Sequence, residues 1–135
     1  MIGFVLGTGE GRKILSEINK YTDKIVVSTA TEYGYEIYQE FKAKHFNYKP
    51  LNEDGFKKLI KEFGITVFVD ASHPYASEVS KALINVCKEM NIDYIRYERK
   101  SYFNDLKDSE NIIFIDKYEE LENVFKNIDG NILNT

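Results

Sequence analysis

The sequence predicts an α/β domain, a parallel sheet covered by helices on both faces. Three observations carry that prediction. Short apolar runs alternate with segments whose apolar residues recur at helical spacing. The runs are continuously apolar, as strands buried on both faces are. The first run opens directly into a glycine-rich turn, Gly7-Thr8-Gly9-Glu10-Gly11, at the head of a helical segment. A length of 135 residues fits one domain, and a hydrophobic share of 43% suits a packed core.

Each element has its own local reason. Residues 2–6 are apolar and end in glycines, a buried strand. Residues 10–21 carry Ile14, Leu15 and Ile18 at helical spacing, and residues 24–29 (KIVVST) form a second strand. Residues 32–42 read as a helix with Ile37 and Phe41 on one face, despite Gly34. Residues 45–48 make a short strand. Asn52 caps a helix with Glu53 and Asp54 in its first turn and Phe56, Leu59, Ile60 and Phe63 as its stripe; Gly64 stops it. Residues 65–69 (ITVFV) are the strongest strand. Pro74 suits the first position of the next helix, whose core face is Val79, Ala82, Leu83, Val86 and Met90. Residues 93–97 form another strand, 98–110 a polar loop and 111–115 a further strand. Asp116 and Glu119 resemble a capping box for a helix bearing Leu121, Val124, Phe125 and Ile128, which Gly130 ends. Residues 131–134 begin one more strand, which suggests a domain cut from a longer chain.

Composition narrows the function classes. Twenty-two acidic against 18 basic residues give a net charge of −4, which argues against non-specific nucleic-acid binding. The lone Cys87 excludes an intrachain disulfide and a cysteine zinc site and fits a reducing cytoplasm; no metal site is expected. The apolar N-terminal run stops at Gly7, far short of a signal peptide or a spanning helix, so no membrane is expected.

Ligands of such sheets bind where the strands end at their carboxyl side. Gly7, Thr8, Gly9, Glu10, Gly11 and Arg12 follow the first strand. Glycines there let the backbone turn tightly and approach a pyrophosphate, and the helix N-terminus adds free N–H groups. This makes the sheet Rossmann-like. The alternative is a glycine turn without a ligand. Arg12 stands where G-x-G-x-x-G has its third glycine, so Gly11 would carry the close packing. The second strand ends Ser28-Thr29-Ala30-Thr31 with no acid at its tip. Hydroxyls there, with Arg12 nearby, favour NADPH over NADH; equally, Ser28 and Thr29 are β-formers and Thr31 a helix cap. Asp70-Ala71-Ser72-His73-Pro74-Tyr75 follows the strongest strand. Proline biases His73 toward an extended backbone at the strand tips, where an imidazole suits proton transfer; the plain reading is that Ser72 and His73 cap a helix. Arg96 and Arg99 could hold carboxylates, or form a surface cluster with Glu98.

Taken together, GTGEGR, STATEYG, DASHPYA and IRYER, in order over residues 2 to about 100, resemble the precorrin-6A reductases and their cobalt-precorrin counterparts. The resemblance implies a reductase that passes hydride from NADPH (NADH in some members) to a carboxylate-rich corrin precursor. It places Gly7, Thr8, Gly9, Gly11 and Arg12 on the cofactor, with Ser28, Thr29 and Thr31 around its adenosine end. Asp70, Ser72, His73, Tyr75 and Arg99 would face nicotinamide and substrate, with Ala71 beside the cofactor. Members often carry Gly-Arg before Leu-Asp at the third helix, where this chain has Lys49-Pro50-Leu51-Asn52. Members are also roughly twice this length, so a second α/β domain of the same parent chain is expected and the fragment alone would lack turnover. Two other classes compete. A regulatory dinucleotide-binding module usually keeps an acid at the second strand tip and has no need of DASHPYA. Extended Rossmann enzymes need Tyr-x-x-x-Lys, and Tyr118 has Glu122 where the lysine would stand.

Overall fold

The computed structural model describes residues 1–7, 9–98, 112–126 and 128–130. The chain divides into two compact units, Met1–Glu98 and Arg99–Thr135. The first alternates strand and helix: β1 (Ile2–Leu6), α1 (Gly11–Ile18), β2 (Ile25–Ser28), α2 (Glu32–Tyr38), β3 (His45–Asn47), α3 (Glu53–Phe63), β4 (Val67–Ala71), α4 (Ser77–Met90) and β5 (Asp93–Arg96).

All neighbouring strands pair in parallel, in the order β3-β2-β1-β4-β5. This is a doubly wound, Rossmann-like sheet, as the alternating pattern predicts. The chain winds outward from β1 through β2 to β3, then crosses back to β4 on the other side of β1. The order therefore reverses between β1 and β4, and the crevice at their carboxyl ends is where such sheets take ligands.

Strand residues alternate between two cores. Val5, Val26 and Phe68 pack with Phe56, Leu59 and Ile60 of α3 and Leu83, Val86 and Cys87 of α4. Phe4, Leu6, Ile25, Val27 and Ala71 pack with Leu15 of α1 and Tyr38 of α2. Helices thus cover both faces. The period-two alternation of a strand sends successive side chains to opposite layers, and both layers are apolar. Phe56 and Phe68 meet edge-on, with centroids 5.8 Å apart, an arrangement worth about 0.5–1.5 kcal/mol beyond its burial.

The helix signals hold in detail for α3. The Asn52 side chain accepts the Gly55 N–H at 2.9 Å, acids occupy the first turn, and Gly64 closes the helix at φ 62°. Two expectations shift. The fourth strand runs Val67–Ala71 rather than 65–69, because its register is set by pairing with β1, from Ile2↔Val67 to Leu6↔Ala71. Pro74 does not open α4. It follows His73 in a turn closed by the Ala76 N–H on the His73 carbonyl at 2.8 Å, and the helix begins at Ser77. Proline's fixed φ suits the second place of such a turn as well as a helix start.

In the second unit, residues 112–115 form no strand, which corrects that expectation. A 3-10 turn (Tyr118–Glu120) runs into α5 (Leu121–Phe125). Glu120 rather than Glu119 accepts the Asp116 N–H, at 3.4 Å, and the helix stops well before Gly130. The strand expected at 131–134 lies outside the described residues. Among the described residues, no helix is long and apolar enough to cross a membrane.

Candidate cofactor and active site

The two turns at the switch point are in contact. The Gly7 N–H donates to the Ala71 carbonyl at 3.1 Å, so the β1 turn is pinned to the end of β4. A Cβ on Gly7 would stand 3.1 Å from the His73 backbone nitrogen. The glycine turn and the Ser72-His73 turn therefore share one crevice. Thr8, within the first turn, lies outside the described residues, as does Arg99.

Tyr38 supports the glycine turn from below. Its side chain is fully buried and its hydroxyl donates to the Gly7 carbonyl. A Cβ on Gly11 would collide with that hydroxyl and ring. Gly11 is thus the close-packing glycine, as Arg12's place in the motif requires, although the surface it meets is a tyrosine of α2. Burial raises the Tyr38 pKa above its usual value, so the hydroxyl, already protonated at neutral pH, stays a donor to still higher pH. Tyr38 and Lys42 have the Tyr-x-x-x-Lys spacing, but a buried hydroxyl committed to Gly7 offers nothing to a substrate.

The amino terminus of α1 suits an anion. Glu10 at the N-cap of α1 and Ala76 at that of α4 make no side-chain cap hydrogen bond, whereas Thr31 caps α2 and Asn52 caps α3. Among the described residues, no side chain caps the first N–H groups of α1. Gly9 is exposed in front of them. Arg12 pairs with Glu40, donates to the Ile37 carbonyl at 3.3 Å and lies over the Phe41 ring.

At the tip of β2 the hydroxyls have local partners. Ser28 accepts from Asn47 Nδ2 at 3.0 Å, and Thr29 donates to the Thr31 carbonyl at 3.0 Å. Thr31 accepts the Gly34 N–H at 3.1 Å, which makes it the cap of α2. Ser28 and Thr29 are buried, and Arg12 does not meet any of the three.

Beyond β4 lies a buried polar network that the sequence reading assembled only in part. Asp70 is wholly buried, with Arg96 Nη1 at 2.7 Å from Oδ1. The Ser72 N–H donates to Oδ1 at 3.0 Å, while Ser80 and Tyr94 donate to Oδ2 at 2.7 and 2.8 Å. Arg96 also reaches the Ser72 hydroxyl at 2.9 Å and the Ser72 carbonyl at 3.3 Å. Burial alone would raise the Asp70 pKa, but the hydrogen bonds from Ser80, Ser72 and Tyr94 outweigh it and hold the carboxyl below its usual value. Burial, and then the bond to Asp70, push the Tyr94 hydroxyl up to about 12. Asp70 and Arg96, expected at cofactor and substrate, face each other and both hold the backbone of Ser72.

His73 and Tyr75 stand free of this network. Both are exposed, and their rings are tilted against one another at 5.0 Å. The Tyr75 N–H donates to His73 Nδ1 at 3.2 Å. Nδ1 is thus the acceptor, and in the neutral ring Nε2 carries the proton. Tyr38, Ser80 and Tyr94 were missed in the sequence. Tyr94 was findable, because it shares a strand face with Arg96 at i, i+2; Tyr38 and Ser80 give no local signal.

The profile of the family described as precorrin-6x reductase CbiJ/CobK matches residues 2–135. The chain belongs to this family. Among proteins similar to it, a cobalt-precorrin-6A reductase of Methanocaldococcus jannaschii is 36% identical over 121 residues, covering 89% of this chain and 47% of that protein. A cobalt-precorrin-6A reductase of Priestia megaterium is 30% identical over 135 residues, covering 100% of this chain and 51% of its own length. The chain spans about half the length of these curated relatives. A solved structure titled CobK precorrin-6A reductase matches with a TM-score of 0.61 at 17% identity, over 73% of this chain and 37% of that one. At that identity the structural match supports the fold alone, and the fold it supports is the α/β sheet described above. The CbiJ/CobK family is a reductase family, and the DASHPYA and GTGEGR turns of this member converge at its sheet's switch point.

Proposed function

We propose that this chain is the cofactor-binding half of a reductase acting on precorrin-6A or cobalt-precorrin-6A in cobalamin biosynthesis, with NADPH as its preferred cofactor and NADH as a substitute. One observation carries the cofactor reading: the β1 glycine turn is pinned to the end of β4, in the carboxyl-end crevice where the strand order reverses. The residues fit a pyrophosphate. Thr8, Gly9, Glu10 and Gly11 would hold it through backbone N–H groups, with Gly7 allowing close approach and Arg12 flanking them. Ser28, Thr29 and Thr31 would border the adenosine end, where the missing acid supports a 2′-phosphate. Arg12 contributes there only by leaving Glu40.

When bound, the cofactor supplies hydride to one carbon of the substrate. The chain's own part is orientation and a proton. His73, exposed and with Nε2 carrying the proton in its neutral ring, is the first candidate donor; Tyr75 is the second. Ser72 and Arg99 would meet substrate carboxylates, and Ala71 would line the cofactor. Asp70 and Arg96 serve by fixing the Ser72 backbone. A second domain of the parent chain would close the site, in the cytoplasm, where the buried Cys87 thiol stays reduced.

Calorimetric titration tests this. NADPH should bind the wild-type chain more tightly than NADH does, and Gly9→Val should abolish binding, because its side chain would occupy the phosphate's space. Unchanged NADPH affinity in Gly9→Val would remove the site. In a reductase of the family's full length, His73→Ala should lower turnover by on the order of a hundredfold while cofactor affinity barely changes.

A further inference from the structure

Tyr38 lies outside every motif of the crevice, yet it touches two of the glycines that would hold a phosphate. Its hydroxyl donates to the Gly7 carbonyl, and its ring lies where any Gly11 side chain would go. It comes from α2, a separate element, and is wholly buried. A carbonyl oxygen in an anion cradle is electrostatically unfavourable, since its negative end repels the phosphate. A donor that holds the carbonyl toward the protein removes that repulsion before any ligand arrives. We propose that Tyr38 is a positioning residue for dinucleotide binding, preorganising the Gly7–Gly11 turn by tying the Gly7 carbonyl away from the pyrophosphate. This rests on the cofactor reading above.

The physical requirement is a neutral donor of fixed position. The Tyr38 ring is held by the apolar layer of Phe4, Leu6, Leu15 and Ala71. A tyrosine hydroxyl is protonated at neutral pH, and burial raises its pKa further. Nothing in this contact involves the adenosine or nicotinamide end, so its effect must be shared by every dinucleotide that uses the turn.

The test is titration of the wild-type chain and Tyr38→Phe with NADPH and with NADH, well below both thermal midpoints. Tyr38→Phe keeps the ring against Gly11 and removes only the donor. We expect affinity for both dinucleotides to weaken by about tenfold, the size of one lost hydrogen bond, with the ratio between them unchanged. A merely structural tyrosine would lower the thermal midpoint and leave both affinities as they were, which would overturn the inference. A loss confined to NADPH would overturn it too. If the wild-type chain binds neither dinucleotide, the cofactor reading fails and takes this one with it; if the wild type binds and Tyr38→Phe binds equally, only this one fails. Should Tyr38→Phe not fold, the wild-type Gly7 carbonyl ¹³C resonance decides: it should stay in place on saturation with NADPH, whereas a shift showing that the carbonyl gains or loses its donor on binding contradicts preorganisation.

Discussion

Arg96 Nη1 stands 2.7 Å from the Asp70 carboxylate, across the carboxyl ends of two adjacent parallel strands. Asp70 is wholly buried and Arg96 mostly so, and both also hold Ser72. A pair of this kind contributes less than its Coulomb attraction suggests, because both charges were desolvated to make it. Removing one partner is another matter, since it strands the other. Arg96→Ala should therefore destabilise the domain by about 2–3 kcal/mol, below the usual range for a fully buried pair because Arg96 keeps some solvent contact. Equilibrium unfolding in urea checks this, and a change below about 0.5 kcal/mol would mean that the pair is replaced by water.

The same network sets a pH dependence at both ends. Asp70 has a folded-state pKa below its unfolded value, so its stabilisation is present above about pH 3.9 and fades as the pH falls through the folded value. Tyr94 is raised to about 12, so its contribution is present below about pH 10 and is lost as the pH climbs toward that value. Thermal midpoints across pH should fall at both extremes. Tyr94→Phe should lower the neutral-pH midpoint and flatten the alkaline limb. An alkaline limb as steep as that of the wild type would show that Tyr94 does not ionise with unfolding.

Gly34 of α2 poses a contest between propensity and space. Alanine in a helix gains about 1 kcal/mol over glycine. A Cβ on Gly34, however, would lie 2.7 Å from Thr29 Cβ, with Thr29 Oγ1 and Cγ2 at 3.0 and 3.1 Å. A β-carbon is fixed to the backbone and cannot swing aside, and overpacking costs about 1–3 kcal/mol. Gly34→Ala should thus destabilise by about 1 kcal/mol, measured by denaturant midpoint. A stabilised variant would show that α2 shifts freely on β2.

Much of this was legible in the sequence for particular reasons. The strand order could not be read, but its elements could, because continuous apolar runs and periodic helices have different spacings and Asn52 and Gly64 mark the ends of α3 with their own chemistry. The end of β4 was misplaced because register depends on β1, which no local window contains. Pro74 was read as a helix start because its fixed φ serves a turn equally well. At the site, GTGEGR and DASHPYA were visible since each follows a strand. Their mutual contact through Gly7 and Ala71, and the hold of Tyr38 on Gly7, join residues far apart in the chain. The pairing of Arg96 with Asp70 was not legible, because nothing next to either residue announces the other.

A dinucleotide bound as proposed would lie across the β1 and β4 turns. The most direct test is amide chemical-shift mapping of the wild-type chain titrated with NADPH. The largest perturbations should fall on Gly9, Gly11 and Arg12 and on Ala71, Ser72 and His73, saturating together with one dissociation constant. Saturable perturbations confined to α3, or none at any NADPH concentration while NADH is equally silent, would contradict it.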